Sequence, residues 1–182
     1  MAMKKNIKHS ACVADYYWAM ARISLGFLFF WGFLDKLLGL GFSTCRDVKT
    51  DVVTMACEKA WISGGSPTSG FLEFATKGPF GSFFQSLAGS PLIDFLFMAG
   101  LGLIGLTLIL GIGIRVATIS GVALMLMMWA SMLLPENNPI IDDHIVYSIV
   151  LLGILSANKT QVWGLRKLWV KQSIVKKFPV IE

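Results

Sequence analysis

Charge is scarce in this chain. Only 15% of its 182 residues are Asp, Glu, Lys or Arg, and 55% are hydrophobic, whereas an average soluble domain is about 25% charged. That deficit argues for an integral membrane protein. The apolar excess lies in continuous runs and not in short alternating segments, which argues against a transmembrane β-barrel. Cysteine is scarce too. Cys12, Cys45 and Cys57 form no C-x-x-C pair, haem-attachment motif or iron–sulfur spacing, so no bound metal or haem is expected. One histidine outside the N-terminal tail, His144, together with scattered carboxylates defines no coordination sphere. No repeat or low-complexity tract is evident. A G-x-G-x-x-G string (Gly100, Gly102, Gly105) has no strand before it and no acidic residue about 20 positions on, so it reads as close helix packing and not as a dinucleotide site.

Four apolar stretches are present: Tyr17 to Phe42, Leu92 to Ile114, Val116 to Leu134, and Ile140 to Ala157. They predict an all-α fold, an integral membrane four-helix bundle. No apolar h-region separates the early lysines from Cys12, so neither a signal peptide nor a lipoprotein anchor is expected. Lys4, Lys5 and Lys8, then Arg115, and then the tail (Lys159, Arg166, Lys167, Lys171, Lys176, Lys177) carry the cations near span ends, while the stretch from Pro135 to Asp143 has none. The positive-inside rule then gives a multi-pass protein of the cell's inner (cytoplasmic) membrane with both termini cytoplasmic. Residues 1–16 form a cytoplasmic segment, 17–157 the membrane domain, and 158–182 a basic tail whose sequence WGLRKLWVKQSIVKKF suggests an interfacial helix. The net charge of +5 matches anionic lipid and calls for no nucleic acid.

This topology makes 43–90 a long extracytoplasmic loop between the first and second helices. Such length is usually functional or disordered, and Trp61, Phe71, Phe74, Phe80, Phe83 and Phe84 argue for order. A short helix in CRDVKTDVVTMACEKAWI, a glycine-rich turn and an amphipathic piece in GFLEFATKGPFGSFFQSLAG are expected, folded as a cap. Ser90-Pro91 opens the second span as N-cap and first helical residue. Cys45 and Cys57 fall on the oxidising side, either as a disulfide staple or as a redox-active pair.

Ionisable residues inside a span are functional candidates by default. Arg22, Asp35 and Lys36 interrupt the first run, and Asp142, Asp143 and His144 precede the fourth. Arg22 is expected to anchor the inner interface. Asp35 and Lys36 are expected near the outer end of their helix, on the same side as Asp94, Asp143 and His144, with Asp35 turned toward a neighbouring helix. Asp35, Lys36, Asp143 and His144 are therefore the candidate catalytic residues, His144 as a hydrogen-bond partner or proton relay.

The strings RISLGFLFFWGFLDKLLGLGF, WISGGSPTSGFLEFATKGPF, GIGIRVA and PENNPIIDDHIVYSIVLL together resemble the DoxX/DoxD family of small four-helix membrane proteins, from about Tyr17 to Gly164. The resemblance implies a membrane subunit of the thiosulfate:quinone oxidoreductase kind, which converts thiosulfate to tetrathionate and passes electrons to quinone with a second redox subunit or a soluble redox partner. The sulfur dianion would want Lys36, Lys77 and the backbone N–H groups of Gly64 and Gly65. The quinone would want an aromatic slot, for which Trp31, Phe33, Trp61, His144 and Tyr147 are the candidates. Two other readings stay open: a non-enzymatic scaffold of a redox or oxidative-stress complex, and a thiol:quinone oxidoreductase using Cys45 and Cys57.

Overall fold

A computed structural model describes residues 11–182 except 48, 136, 137 and 139. Lys4, Lys5 and Lys8, and part of the PENNPIIDD string, lie outside the described residues. Among the described residues the protein is all-helical, with no extended strand.

The first helix, α1 (Val13–Leu38), starts before its apolar run, where the Asp15 carboxylate accepts the Cys12 N–H at 2.8 Å. An acid there satisfies an orphan donor and suits the positive end of the helix dipole. It ends at Gly39, whose φ of +65° favours glycine and whose N–H returns to Asp35 O at 2.7 Å. A Cβ at Gly39 would also stand 2.5 Å from the Cys45 sulfur. Two short cap helices follow, α2 (Ser69–Phe74) and α3 (Gly81–Gln85). The long α4 (Pro91–Leu110) begins at Ser90-Pro91 as expected, and the glycines Gly111 and Gly113, both at positive φ, turn the chain into α5 (Ile114–Ser131). The last long helix is α6 (Asp143–Ser156), and the tail carries α7 (Arg166–Trp169) and α8 (Ser173–Lys177).

α1 packs on α4, α4 on α5, α5 on α6 and α6 back on α1. Phe29, Leu108, Ile114, Met98 and Leu151 are fully buried inside this ring. Glycine sets the closest approach. A Cβ on Gly26 would lie 2.9 Å from Ile109 N, and one on Gly105 would lie 2.5 Å from Phe30 N, so α1 and α4 touch backbone to backbone. On the outside, Phe27, Leu103, Ile119 and Ile149 are each more than half exposed. An apolar exterior on apolar helices is what lipid contact requires. α1, α4 and α5 are long and apolar enough to cross a membrane, and the chain is a membrane protein on that ground. α6 has 14 residues, about 21 Å of helix against a hydrocarbon core of roughly 30 Å.

Two local expectations are corrected. The stretch after Cys45 is not helical before the single turn at Trp61–Ser63. Cys45 and Cys57 form a disulfide, Arg46 bridges Val53, and Cys45, Asp51 and Ala56 take positive φ, which a helix cannot accommodate. The tail is likewise not one interfacial helix. It breaks at Gln172, where the backbone is extended, and folds back so that Trp169 Nε1 donates to Ile181 O at 2.8 Å and Arg166 pairs with Glu182. Leu165 N–H also donates to Leu110 O at 2.8 Å, which docks the tail beneath α4.

Candidate functional site

The cap is pinned to three helices. Asp35, only 1% exposed, accepts Phe42 N–H at 3.0 Å, Ser43 N–H at 2.9 Å and the Ser43 hydroxyl at 2.7 Å. Asp94 at the start of α4 accepts the hydroxyls of Thr68 at 2.5 Å and Ser66 at 2.9 Å, and Thr68 N–H at 3.3 Å. Lys77 N–H donates to Ser131 O at 2.9 Å at the end of α5. Buried carboxylates are costly unless hydrogen-bonded. Asp35 and Asp94 meet that condition by accepting from the loop itself.

Held this way, the cap closes a cavity of about 300 Å³ against α4 and α5. That is the lower end of the size range of small-molecule sites. Phe71, Phe84, Phe97, Leu124 and Met128 supply apolar wall, and Lys36, Thr68 and Ser131 the polar points. Thr68 spends its hydroxyl proton on Asp94, and Ser131 donates to Met128 O at 2.7 Å. Lys36 donates to Ser43 Oγ at 3.3 Å. An ammonium has three donors, so two N–H groups of Lys36 stay available to a guest. Ser43 in turn donates to Asp35, so this exposed loop hydroxyl links Lys36 at the cavity wall to the buried Asp35.

The structure does not gather the other expected site residues here. Trp31 stacks on Phe27 at 5.8 Å and meets Phe42 edge-on at 5.1 Å, and Phe33 stacks on Phe30 at 6.0 Å over Gly102. Trp61 lies in the cap against α1, and His144 and Tyr147 are on α6. None of the five lines the cavity. They do not form one slot, because Trp31 and Phe33 pack against neighbours on and beside α1. The glycine pair is also not an anion cradle. Gly64 N–H donates to Trp61 O and Gly65 N–H to Ala60 O, each at 3.0 Å, so the turn consumes both donors.

Asp35 and Lys36 do not pair with α6 either. Asp35 turns to its own loop and not to a neighbouring helix, and among the described residues no hydrogen bond or ion pair joins it or Lys36 to Asp142, Asp143 or His144. Those three form a helix start. Asp142 Oδ1 accepts Ile145 N–H at 3.2 Å, its other oxygen lies 2.8 Å from His144 Nδ1, and the exposed Asp143 lies 3.4 Å from the same nitrogen. The Asp142, Asp143 and His144 ligand atoms lie within 4.8 Å of one another, with Asp142 serving as the N-cap of α6.

Arg22, expected as an anchor of the inner interface, turns into the protein. It is 1% exposed, and its guanidinium donates to Leu108 O and to Ile109 O at 3.0 Å on α4, and to Val162 O at 3.3 Å and Trp163 O at 2.8 Å on the tail. It caps the carbonyl end of one helix and ties the tail to it.

Sequence reasoning missed the cavity walls. Phe71 and Phe84 stood out only as signs of an ordered loop, and no local signal separates them from Phe74 and Phe83, which are exposed. Ser131 and Phe97 carry no motif. No protein-family model matches this chain, nor does any curated protein or solved structure.

Proposed function

We propose that this protein is the membrane subunit of a quinone-linked redox system, a four-helix inner-membrane bundle with cytoplasmic termini that receives a quinone head in the cavity at Lys36. The observation that carries the reading is that cavity: apolar and aromatic on nearly all sides, with one cation whose donors are not all spent. A quinone carbonyl accepts hydrogen bonds, and the negative charge that gathers on its oxygens during reduction is stabilised by a neighbouring ammonium. Reduction takes up two electrons and two protons. Lys36 delivers one proton to the carbonyl oxygen that it faces and is recharged from water through Ser43, which stands at the exposed loop, and water supplies the second proton to the other oxygen.

The donor half rests on the DoxX/DoxD resemblance. Two thiosulfates each lose one electron and join through a new S–S bond, and the electrons pass to the quinone with the help of a second subunit. Cys45 and Cys57 are a staple in this reading and not a redox pair, since Cys45 is buried against Gly39 and neither cysteine lines the cavity.

The test is equilibrium binding of a tail-less ubiquinone or menaquinone analogue to the full chain in lipid nanodiscs. Lys36→Met keeps the stem and removes the ammonium. A hydrogen bond to a charged group contributes roughly 1.5–3 kcal/mol, so about ten-fold or more weakening is expected with an unchanged melting temperature. Absence of saturable binding to the wild-type chain, or equal affinity in Lys36→Met, sinks the proposal.

A further inference from the structure

The Lys36 cavity does not end at its apolar wall. Leu96, Leu124 and Met127 line it and also line a second cavity of about 680 Å³. The second cavity runs down the seam between α4 and α5 to Trp169 and Ile181 of the docked tail. From Leu96 to Thr107 it follows α4 for about 16 Å at 1.5 Å per residue.

Small residues here act differently from those between α1 and α4. Gly26 and Gly105 are packed tight, whereas a Cβ on Gly100 would meet nothing nearer than Leu124 Cδ2 at 4.0 Å. Gly100, Ala117 and Ala123 therefore leave a trough on the side where the seam opens. Two hydroxyls line it: Thr107 on α4 is spent on Leu103 O at 2.6 Å and Ile104 O at 3.0 Å of its own helix, and Ser120 on α5 is exposed at the rim, so the rest of the lining is apolar.

We propose that the two cavities are one site for a single amphiphile, a quinone with its head at Lys36 and its polyisoprenoid tail laid along the α4–α5 seam. This rests on the quinone reading and names the ligand as long-tailed. Three observations select that occupant. The cavities share walls, so a chain leaving the first enters the second. The available cation stands at one end only, and the seam is apolar for several isoprene lengths. A phospholipid fits less well, because its phosphate would meet a single ammonium with the Asp35 carboxylate hydrogen-bonded behind it and Asp94 behind Thr68.

The experiment uses the full chain in nanodiscs and two photoreactive quinones, one with the azide on the ring and one with it along the tail, with labelled peptides mapped by mass spectrometry. The ring probe is expected on the segments that carry Lys36, Phe71 and Phe97. The tail probe is expected on α4 and α5 around Gly100 and Ala123, and excess unlabelled quinone removes both. Gly100→Leu fills the trough without a backbone clash and replaces a poor helix former. It should weaken long-tailed quinone by about five-fold and leave a tail-less analogue unaffected. The loss is modest because the free tail is already in lipid, so only packing is forfeited.

A ring probe that misses the Lys36 cavity overturns the quinone reading itself. A ring probe in place, with tail labels spread over Phe27, Ile119 and Ile149, overturns the single-site inference alone, as does a Gly100→Leu protein that treats both analogues alike. Labelling of the seam by an acyl-azide phosphatidylglycerol that quinone fails to displace also overturns it.

Discussion

Replacing Asp35 with asparagine separates a loop clasp from a proton-transfer group. The carboxylate accepts three hydrogen bonds from residues seven and eight positions on, at 2.7–3.0 Å. An asparagine oxygen in the Oδ2 place keeps both bonds from Ser43, and its NH₂ then faces Phe42 N–H, donor against donor. The loss is one charge-assisted bond and the charge on the others, about 2 kcal/mol after allowing that Phe42 and Ser43 are exposed and can rewet. Because the strain falls on the loop after Gly39, opening is local and the bundle stays folded.

At 1.4 kcal/mol per ten-fold, 2 kcal/mol makes the Phe42 and Ser43 amides exchange about thirty-fold faster in hydrogen–deuterium exchange, with core amides unchanged. Under the proposed function, binding of the quinone analogue should fall only as far as Lys36 loses its seat on Ser43. If amide exchange is unmoved while electron transfer to quinone stops, Asp35 acts in proton transfer and its assignment as a clasp is refuted.

Three further outcomes are expected. Gly105→Ala places a Cβ 2.5 Å from Phe30 N and should cost about 1–3 kcal/mol, whereas Gly100→Ala has open space; equal thermal stabilities of the two variants would contradict the backbone contact of α1 with α4. The Cys45→Ser/Cys57→Ser variant should lose about 3 kcal/mol of cap stability, seen as faster cleavage of the loop by protease, and, under the proposed function, bind the quinone analogue as the wild-type chain does. The Asp47 carboxyl is held below its ordinary range, first by Thr50 N–H and then by Lys49 N–H, each at 2.8 Å. Its turn is therefore fully stabilised above the free carboxyl's value of about 3.9 and loses that stabilisation as pH falls through the lower folded value. The Thr50 amide shift should follow this titration, and Asp47→Asn should abolish it.

Apolar runs made the long helices legible, because a span announces itself by length and by the absence of charge. Ser90-Pro91 and the glycines of α4 were legible for a related reason, since each answers a local demand for a cap or a close approach. The site was less so. Two of the three bonds to Asp35 come from the backbone N–H groups of Phe42 and Ser43, and every residue but proline has one; the third comes from the Ser43 hydroxyl, a common loop group, so no pattern marks them. The misplaced aromatic slot has the same origin. Trp31, Phe33 and Tyr147 are apt for a quinone by type, but which aromatics face a common space is decided by how α2 and α3 fold onto α4 and α5. Lys36 alone was both conspicuous in sequence and placed at the cavity wall. Charge inside an apolar run is a strong signal, and its cost is independent of topology.

The Arg22 clamp has a consequence for synthesis. Its guanidinium emerges from the ribosome long before its acceptors do: Leu108 and Ile109 come some 86 residues later, and Val162 and Trp163 some 140. Until α4 is made the first helix carries a cation with none of these acceptors, and until the tail is made it has only two of the four. A chain truncated before residue 162 is therefore expected to leave Arg22 with only its two α4 acceptors, and to hold its first helix less firmly than the full chain does.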